Sequence, residues 1–228
     1  MKCVILQPSY IPWRGYFDQI RQADLFIFYD DVKYDKNGWR NRNRIKTING
    51  PQWLTIPVLN KGVEENQTPI NEININWGQK WNRKHWTALQ QAYSKAPFFS
   101  TYKDVLEEIY QRHDEKLADL TIDLTITISH LLGIGNTNFL RSSQIKGISG
   151  TKTDRLIQIL TEVGATSYLS GPSAQDYIES DKFSQANIEL SFISYNYPEY
   201  NQLYPPYDGQ ISILDLLFMQ GPLALDYF

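Results

Sequence analysis

Cysteine is almost missing from this chain: Cys3 is the single one in 228 residues. A lone thiol excludes an intramolecular disulfide and a multi-cysteine metal knuckle. Its place in an apolar opening run makes it a small buried hydrophobe rather than a nucleophile. Histidine is scarce too, and His85, His113 and His130 are scattered without metal-ligand spacing. No G-x-S-x-G elbow, Walker loop or G-x-G-x-x-G stretch is present. Positive charge is not in excess: 22 Lys and Arg face 25 Asp and Glu, a formal net charge of -3. That balance argues against a general nucleic-acid binder, which would carry a basic face. No apolar stretch approaches the roughly 20 residues that cross a bilayer. The opening run Cys3-Val4-Ile5-Leu6 meets Gln7-Pro8, too soon for a signal-peptide core. A cytoplasmic protein with no membrane insertion is therefore expected.

What the chain has in plenty is aromatic side chains, with 15 Tyr, 10 Phe and 6 Trp. Such side chains fill cores, and Tyr and Trp also line pockets, each offering an apolar body and a polar tip. Cys3 to Leu6 reads as a buried strand. Gly15 to Ala23 has Tyr16, Phe17, Ile20 and Ala23 at helical spacing. Leu25-Phe26-Ile27-Phe28-Tyr29 is a second strand, ended by Asp30-Asp31. Strand, helix and strand in some thirty residues make a βαβ unit, the building block of parallel sheets. Trp53 to Ile56 is strand-like, and Lys61 to Trp77 reads as loop with a short edge strand. Helical patterns cover Trp81 to Lys95, Phe99 to Arg112 and Lys116 to Leu132, the last stopped by Gly133. Asn138 to Ser142, Tyr168 to Ser170 and Leu190 to Tyr195 are further strands. A helix from Thr151 to Val163 opens on a capping-box pattern, Thr151 with Asp154, and Ile211 to Phe218 is a final helix. The expected fold is α/β: one doubly wound, mostly parallel, Rossmann-like domain over residues 1–228, with a helical elaboration at about 80–133.

Four constellations could carry chemistry. The turn after the first strand, Gln7 to Phe17, sits where open α/β sheets bind ligands, and a helix N-terminus there favours anions. In it, Gly15 would admit a phosphate close to the backbone and Arg14 would supply charge; a Pro-bent, aromatic-packed loop is the equal alternative. Asp30 and Asp31, at the end of the second strand, could hold Mg²⁺ or a ribose, or be a solvated turn. Between Gly38 and Lys46, Arg and Asn alternate. In an extended segment Arg40, Arg42 and Arg44 would share one face, and Asn41 and Asn43 the other. Guanidiniums suit phosphates and carboxylates because they bind them bidentately. Finally, Lys152 opens a helix and could hold a second phosphate, with Ser170 and Gly171 completing the pocket. Capped-helix and plain-turn readings compete there.

Taken together, Gln7-Pro-Ser-Tyr10-Ile-Pro12-Trp13-Arg14-Gly15-Tyr16-Phe17, Tyr29-Asp30-Asp31-Val32, Gly38-Trp39-Arg40-Asn41-Arg42-Asn43-Arg44 and Trp53-Leu-Thr-Ile-Pro57 resemble the WbqC-like family. So do Lys152-Thr153-Asp154-Arg155-Leu156-Ile157, Tyr168-Leu169-Ser170-Gly171 and Asp215-Leu216-Leu217-Phe218. The resemblance implies a setting in bacterial O-antigen and other surface-polysaccharide assembly. Met219 departs from it, standing where relatives are expected to carry Asn. The turn is also similar to that of adenylyl- and cytidylyltransferases, with Trp13-x-Gly15-Tyr16 in the place of His-x-Gly-His. Both histidines are absent, so the phosphate pocket carries over and nucleotidyl transfer does not.

These readings converge on a transferase acting on a phosphate-bearing substrate: a nucleotide, nucleotide-sugar, or acyl or aminoacyl carrier. Arg14, Arg40, Arg42 and Arg44 are expected to hold the phosphates, with Asp30 or Asp31 as general base or metal ligand. Tyr10, Trp13 and Tyr16 would stack on a base or sugar. The alternative is a non-catalytic partner in the same pathway, docking a carrier protein on the Arg-Asn segment. A homodimer is one assembly open to the chain. The Tyr-rich tail, with Tyr197, Tyr200, Tyr204 and Tyr207, reads as core or a dimer contact in preference to a lid.

Overall fold

The computed structural model describes residues 1–228. Strand β1 (Lys2–Leu6) leads through the Pro-containing turn into helix α1 (Arg14–Arg21) and back into β2 (Leu25–Phe28). The chain later supplies β5 (Asn138–Arg141), β6 (Ser167–Ser170) and β7 (Glu189–Phe192), after β3 (Arg42–Thr47) and β4 (Gly50–Thr55). Five of these strands form one sheet in the order β5-β2-β1-β6-β7, and every neighbouring pair is parallel. The order reverses between β1 and β6. That reversal is a topological switch point, and open α/β sheets bind ligands outside the strands' carboxyl ends there.

The fold is doubly wound because the strands alternate. Cys3, Ile5, Ile27 and Tyr168 face a core shared with Ile159 and Leu160 of α5 (Lys152–Glu162) and Phe183 of α6 (Ser180–Gln185). Val4, Phe26, Phe28 and Leu169 face the opposite core. There they meet Phe17 and Ile20 of α1, Leu120 and Leu124 of α4 (Leu117–Leu131), and Leu214 and Leu217 of α7 (Ile213–Gln220). Successive side chains of a strand point to opposite faces, so continuous apolar strands belong in a sheet covered on both sides.

Two elements lie outside that sheet. Helices α2 (Trp81–Tyr93) and α3 (Phe99–Gln111) join α4 between β4 and β5. Strands β3 and β4 form a separate antiparallel hairpin, of which the sequence suggested only the second strand. Residues 61–77 hold isolated bridges, such as Val58 with Ile75, in place of an edge strand. The Tyr-rich tail is tied down throughout. Tyr197 donates to Asp18 at 2.7 Å and Tyr204 to the Ala92 carbonyl at 3.1 Å, while Tyr200 is buried.

Candidate functional site

A cleft of about 770 Å³ opens at the switch point. Ile5, Leu6 and Gln7 at the end of β1 form its floor, and Trp13, Tyr16 and Gln19 of the α1 segment one wall. Lys152, Thr153 and Leu156 from the start of α5 form the facing wall. Trp39, Arg40 and Asn43 come from the hairpin side, and Tyr177 stands at the mouth. Two helix beginnings therefore flank the space, and neither has a side-chain cap. The first N–H groups of a helix lack internal partners and suit an anion. Lys152, at the start of α5, has a left-handed backbone with φ 51° and is exposed.

The electrostatic centre is Arg40. One terminal nitrogen donates to the Gln7 carbonyl at 3.2 Å and reaches Pro8 O at 3.5 Å. Its Nε is sealed from solvent and has no partner. No carboxylate pairs with it among the ion pairs of the molecule. Burial holds its guanidinium below the ordinary arginine value, against the opposing pull of Tyr16, Asp35 and Tyr34. A half-buried cation without a counter-ion has lost part of its hydration, and an anionic ligand would make up for it. Across the cleft, Gln19 is buried and donates to Tyr195 at 2.8 Å, leaving its Oε1 without a partner. The site thus offers one unspent donor and one unspent acceptor. No Asp, Glu, His or Cys lines it.

Six of the residues singled out in the sequence meet here: Gln7, Trp13, Tyr16, Arg40, Asn43 and Lys152. Tyr16 is anchored by donating to the Gln7 carbonyl at 3.1 Å. Asn43 is buried and donates to the Ile11 carbonyl at 2.9 Å, which shapes the turn. The others stand elsewhere. Tyr10 is fully buried, 2.8 Å from His85 Nδ1 and 2.6 Å from the Tyr110 hydroxyl; burial lowers His85 to about 4, which favours the neutral ring. Arg14 donates to the Pro198 and Tyr227 carbonyls at 2.9 and 2.8 Å and so fastens the C-terminal tail. Gly15 gives no access to a phosphate, because the Trp13 indole fills that space. A Cβ there would lie 2.3 Å from the ring.

The acidic pair is spent. Asp30 is fully buried and accepts from Arg141 Nε at 2.6 Å, Ser143 N at 3.0 Å and the Ser143 hydroxyl at 2.9 Å, while its own N–H donates to the Ser142 hydroxyl at 3.1 Å. Asp31 accepts from Ser142 and Arg155, each at 2.6 Å. These carboxylates tie the ends of β2, β5 and α5 together. They do not fit a Mg²⁺ site, and no group of three or more His, Cys, Asp or Glu gathers elsewhere. Asn41 donates to the Ile56 carbonyl at 2.7 Å, closing the hairpin base. Arg42 and Arg44 lie on the hairpin's outer face, 4.8 and 5.8 Å from the Trp53 ring centroid. Ser170 is buried beside Tyr168, and Gly171 begins a short 3₁₀ turn. Met219 packs against the core. Sequence reasoning missed Gln19 and Tyr177, and met Trp39 and Thr153 only as members of the Arg-Asn and helix-opening segments. The unusual exposure of Trp39 and Tyr177, 46% and 67%, is a property of the folded chain alone.

Comparison with known proteins gives three results. The description of the WbqC-like protein family matches residues 7–227. The chain is 42% identical over 228 residues to the uncharacterized protein Rv1507c of Mycobacterium tuberculosis, covering 99% of this chain and 96% of that one. No solved structure matches. No helix is long and apolar enough to cross a membrane.

Proposed function

The chain belongs to the WbqC-like protein family, and from that premise we propose that its switch-point cleft binds a phosphate-bearing substrate for a transferase of bacterial surface-glycan assembly. The observation that carries this reading is Arg40, the one arginine that lines the cleft, with no carboxylate partner. Lys152 and the uncapped start of α5 add positive potential on the facing wall. A nucleotide, a nucleotide-sugar or a carrier-bound group would each supply the missing anion. In transfer from a nucleotide or nucleotide-sugar, negative charge grows on the departing phosphate oxygens, and fixed cations in a dry site stabilise it; from a carrier thioester the sulfur leaves, and the cations only anchor the phosphodiester of the arm. With no carboxylate or imidazole lining the cleft, the acceptor must bring its own reactivity. An amine, partly unprotonated near neutral pH, fits that requirement.

The test is thermal unfolding of the purified protein against nucleotides, nucleotide-sugars and coenzyme A. A ligand at one hundred times its Kd stabilises the folded state by about 2.7 kcal/mol, which raises the Tm of a chain this size by several degrees. One ligand class should do so, and Arg40→Gln should abolish the shift. No shift from any class would remove this reading. A second reading, a non-catalytic binding protein of the same pathway, is favoured by one observation: Asp30 and Asp31 are both held in ion pairs, away from any chemistry. Turnover measured with the stabilising ligand and a panel of amines would exclude it.

A further inference from the structure

The β3–β4 hairpin turns an unusual face to solvent. In its antiparallel ladder Arg44 stands opposite Trp53 and Arg42 opposite Thr55, so both guanidiniums and the indole share one face. Trp39 stacks on the same indole, with ring centroids 5.5 Å apart and planes at 28°. Trp39 and Trp53 are 46% and 47% exposed, and Ile48 at the hairpin tip is 78% exposed. Neither Arg42 nor Arg44 pairs with a carboxylate. Their bonds run instead to backbone carbonyls, of Asn37 and Gln210. In a chain of net charge -3, unpaired guanidiniums beside exposed indoles run against the overall balance.

Exposed Trp and Arg are the residues that dominate the binding energy of protein interfaces. A second copy of this chain is a poor occupant, because self-association of the face would bring like charges together. Pro51 in β4 also offers no N–H for edge pairing. Two unpaired guanidiniums call for carboxylates. Trp39 belongs both to this ledge and to the lining of the cleft, so whatever sits on the hairpin has the cleft mouth beside it.

We propose that the hairpin face docks an acidic protein that presents its phosphate-bearing group to the cleft on a flexible arm, as a holo-carrier protein does. The delivery half of this rests on the cleft's holding a phosphate; the docking half does not. The arm's phosphodiester would meet Arg40, while acidic side chains of the carrier meet Arg42 and Arg44. Free coenzyme A carries the same pantetheine phosphate without the protein, so it separates the two halves.

The experiment measures equilibrium binding of the full chain to holo-acyl carrier protein, its apo form and coenzyme A, at low and high salt. The variants are Arg42→Glu/Arg44→Glu, Trp53→Ala and Arg40→Gln, each checked for native circular dichroism. Holo-carrier should bind more tightly than coenzyme A and weaken with salt. The double charge reversal should weaken holo-carrier by at least about tenfold and leave coenzyme A binding unchanged. Trp53→Ala should act in the same direction. Arg40→Gln should weaken coenzyme A and holo-carrier but leave apo-carrier as it was. Carrier affinity indifferent to the double reversal, or a carrier bound no better than coenzyme A, would overturn the proposal. Carrier binding that depends on Arg42 and Arg44, with no free phosphate ligand entering the cleft, would sustain the docking face and remove the cleft reading.

Discussion

Arg40 differs from its neighbours Arg42 and Arg44 in what surrounds it, not in chemistry. The Nε of all three lacks a partner, but only Arg40 lines the cleft, which holds no carboxylate, so Arg40→Gln should leave the unliganded protein within about 1 kcal/mol of wild type. Removing a half-buried charge that forms no ion pair costs little, and urea unfolding measures it. Gly15 behaves oppositely. A methyl group 2.3 Å from the Trp13 ring must displace the indole, which lines the cleft. Gly15→Ala should therefore lose about 1–3 kcal/mol through overpacking, despite the better helix propensity of Ala, and should shift the Trp fluorescence. Asp215 sets a pH dependence. Burial raises it from 3.8 to about 6, against the pull of bonds from Tyr200, Tyr93 and Gln202 and of the Lys46 charge. A carboxyl whose folded value lies above its unfolded value favours the native state when protonated. Its contribution is full below about pH 4, declines as pH rises towards 6, and is gone above. Relative to Asp215→Asn, the wild type should lose on the order of 3 kcal/mol between pH 4 and 7, read from paired urea titrations.

Among the elements, the tie between β2 and β5 rests on Asp30, which meets Arg141 at 2.6 Å from full burial. Asp30→Ala should cost about 1–3 kcal/mol, because the Ser143 N–H and hydroxyl and Arg141 Nε would lose their acceptor, while Arg141 keeps Asp119. A Tm falling together with ligand binding, instead of activity lost from a stable protein, is the expected signature. The adjacent acids were visible in the sequence, but their partners lie over a hundred residues away, at Arg141, Ser142 and Arg155. No local pattern shows that a carboxylate is already engaged. The alternation of Arg and Asn was legible in part. Within β3, Arg42 and Arg44 do share a face and Asn43 points inward. The ladder begins at Arg42, however, and Arg40 precedes it, turned into the cleft by the Gln7 and Pro8 carbonyls. A period of two held only where the backbone was a strand.

For the whole molecule, apolar runs of four or five residues separated by helical periods were enough to read a parallel, doubly wound sheet. Burial on both faces leaves such strands continuously hydrophobic. The strand order was not written locally, since β1 pairs with β6 across more than 160 residues. Yet that pairing makes the cleft, bringing Lys152 opposite Trp13 and Gln7. That the Gln7–Tyr16 turn borders the cleft was legible because it follows a first strand, with Gln7, Trp13 and Tyr16 in the lining; Gln19 and Tyr177 were not legible, because only tertiary packing brings them there. On the proposed function, phosphate binds at Arg40, inside the cleft, and not along the Arg-Asn segment as a whole. Isothermal titration of the stabilising nucleotide or coenzyme A into wild type, Arg40→Gln and Arg42→Gln tests it most directly. Loss of about tenfold to a hundredfold in affinity for Arg40→Gln, with Arg42→Gln unchanged, is the predicted result. Equal losses in both variants, or a loss only in Arg42→Gln, would contradict it.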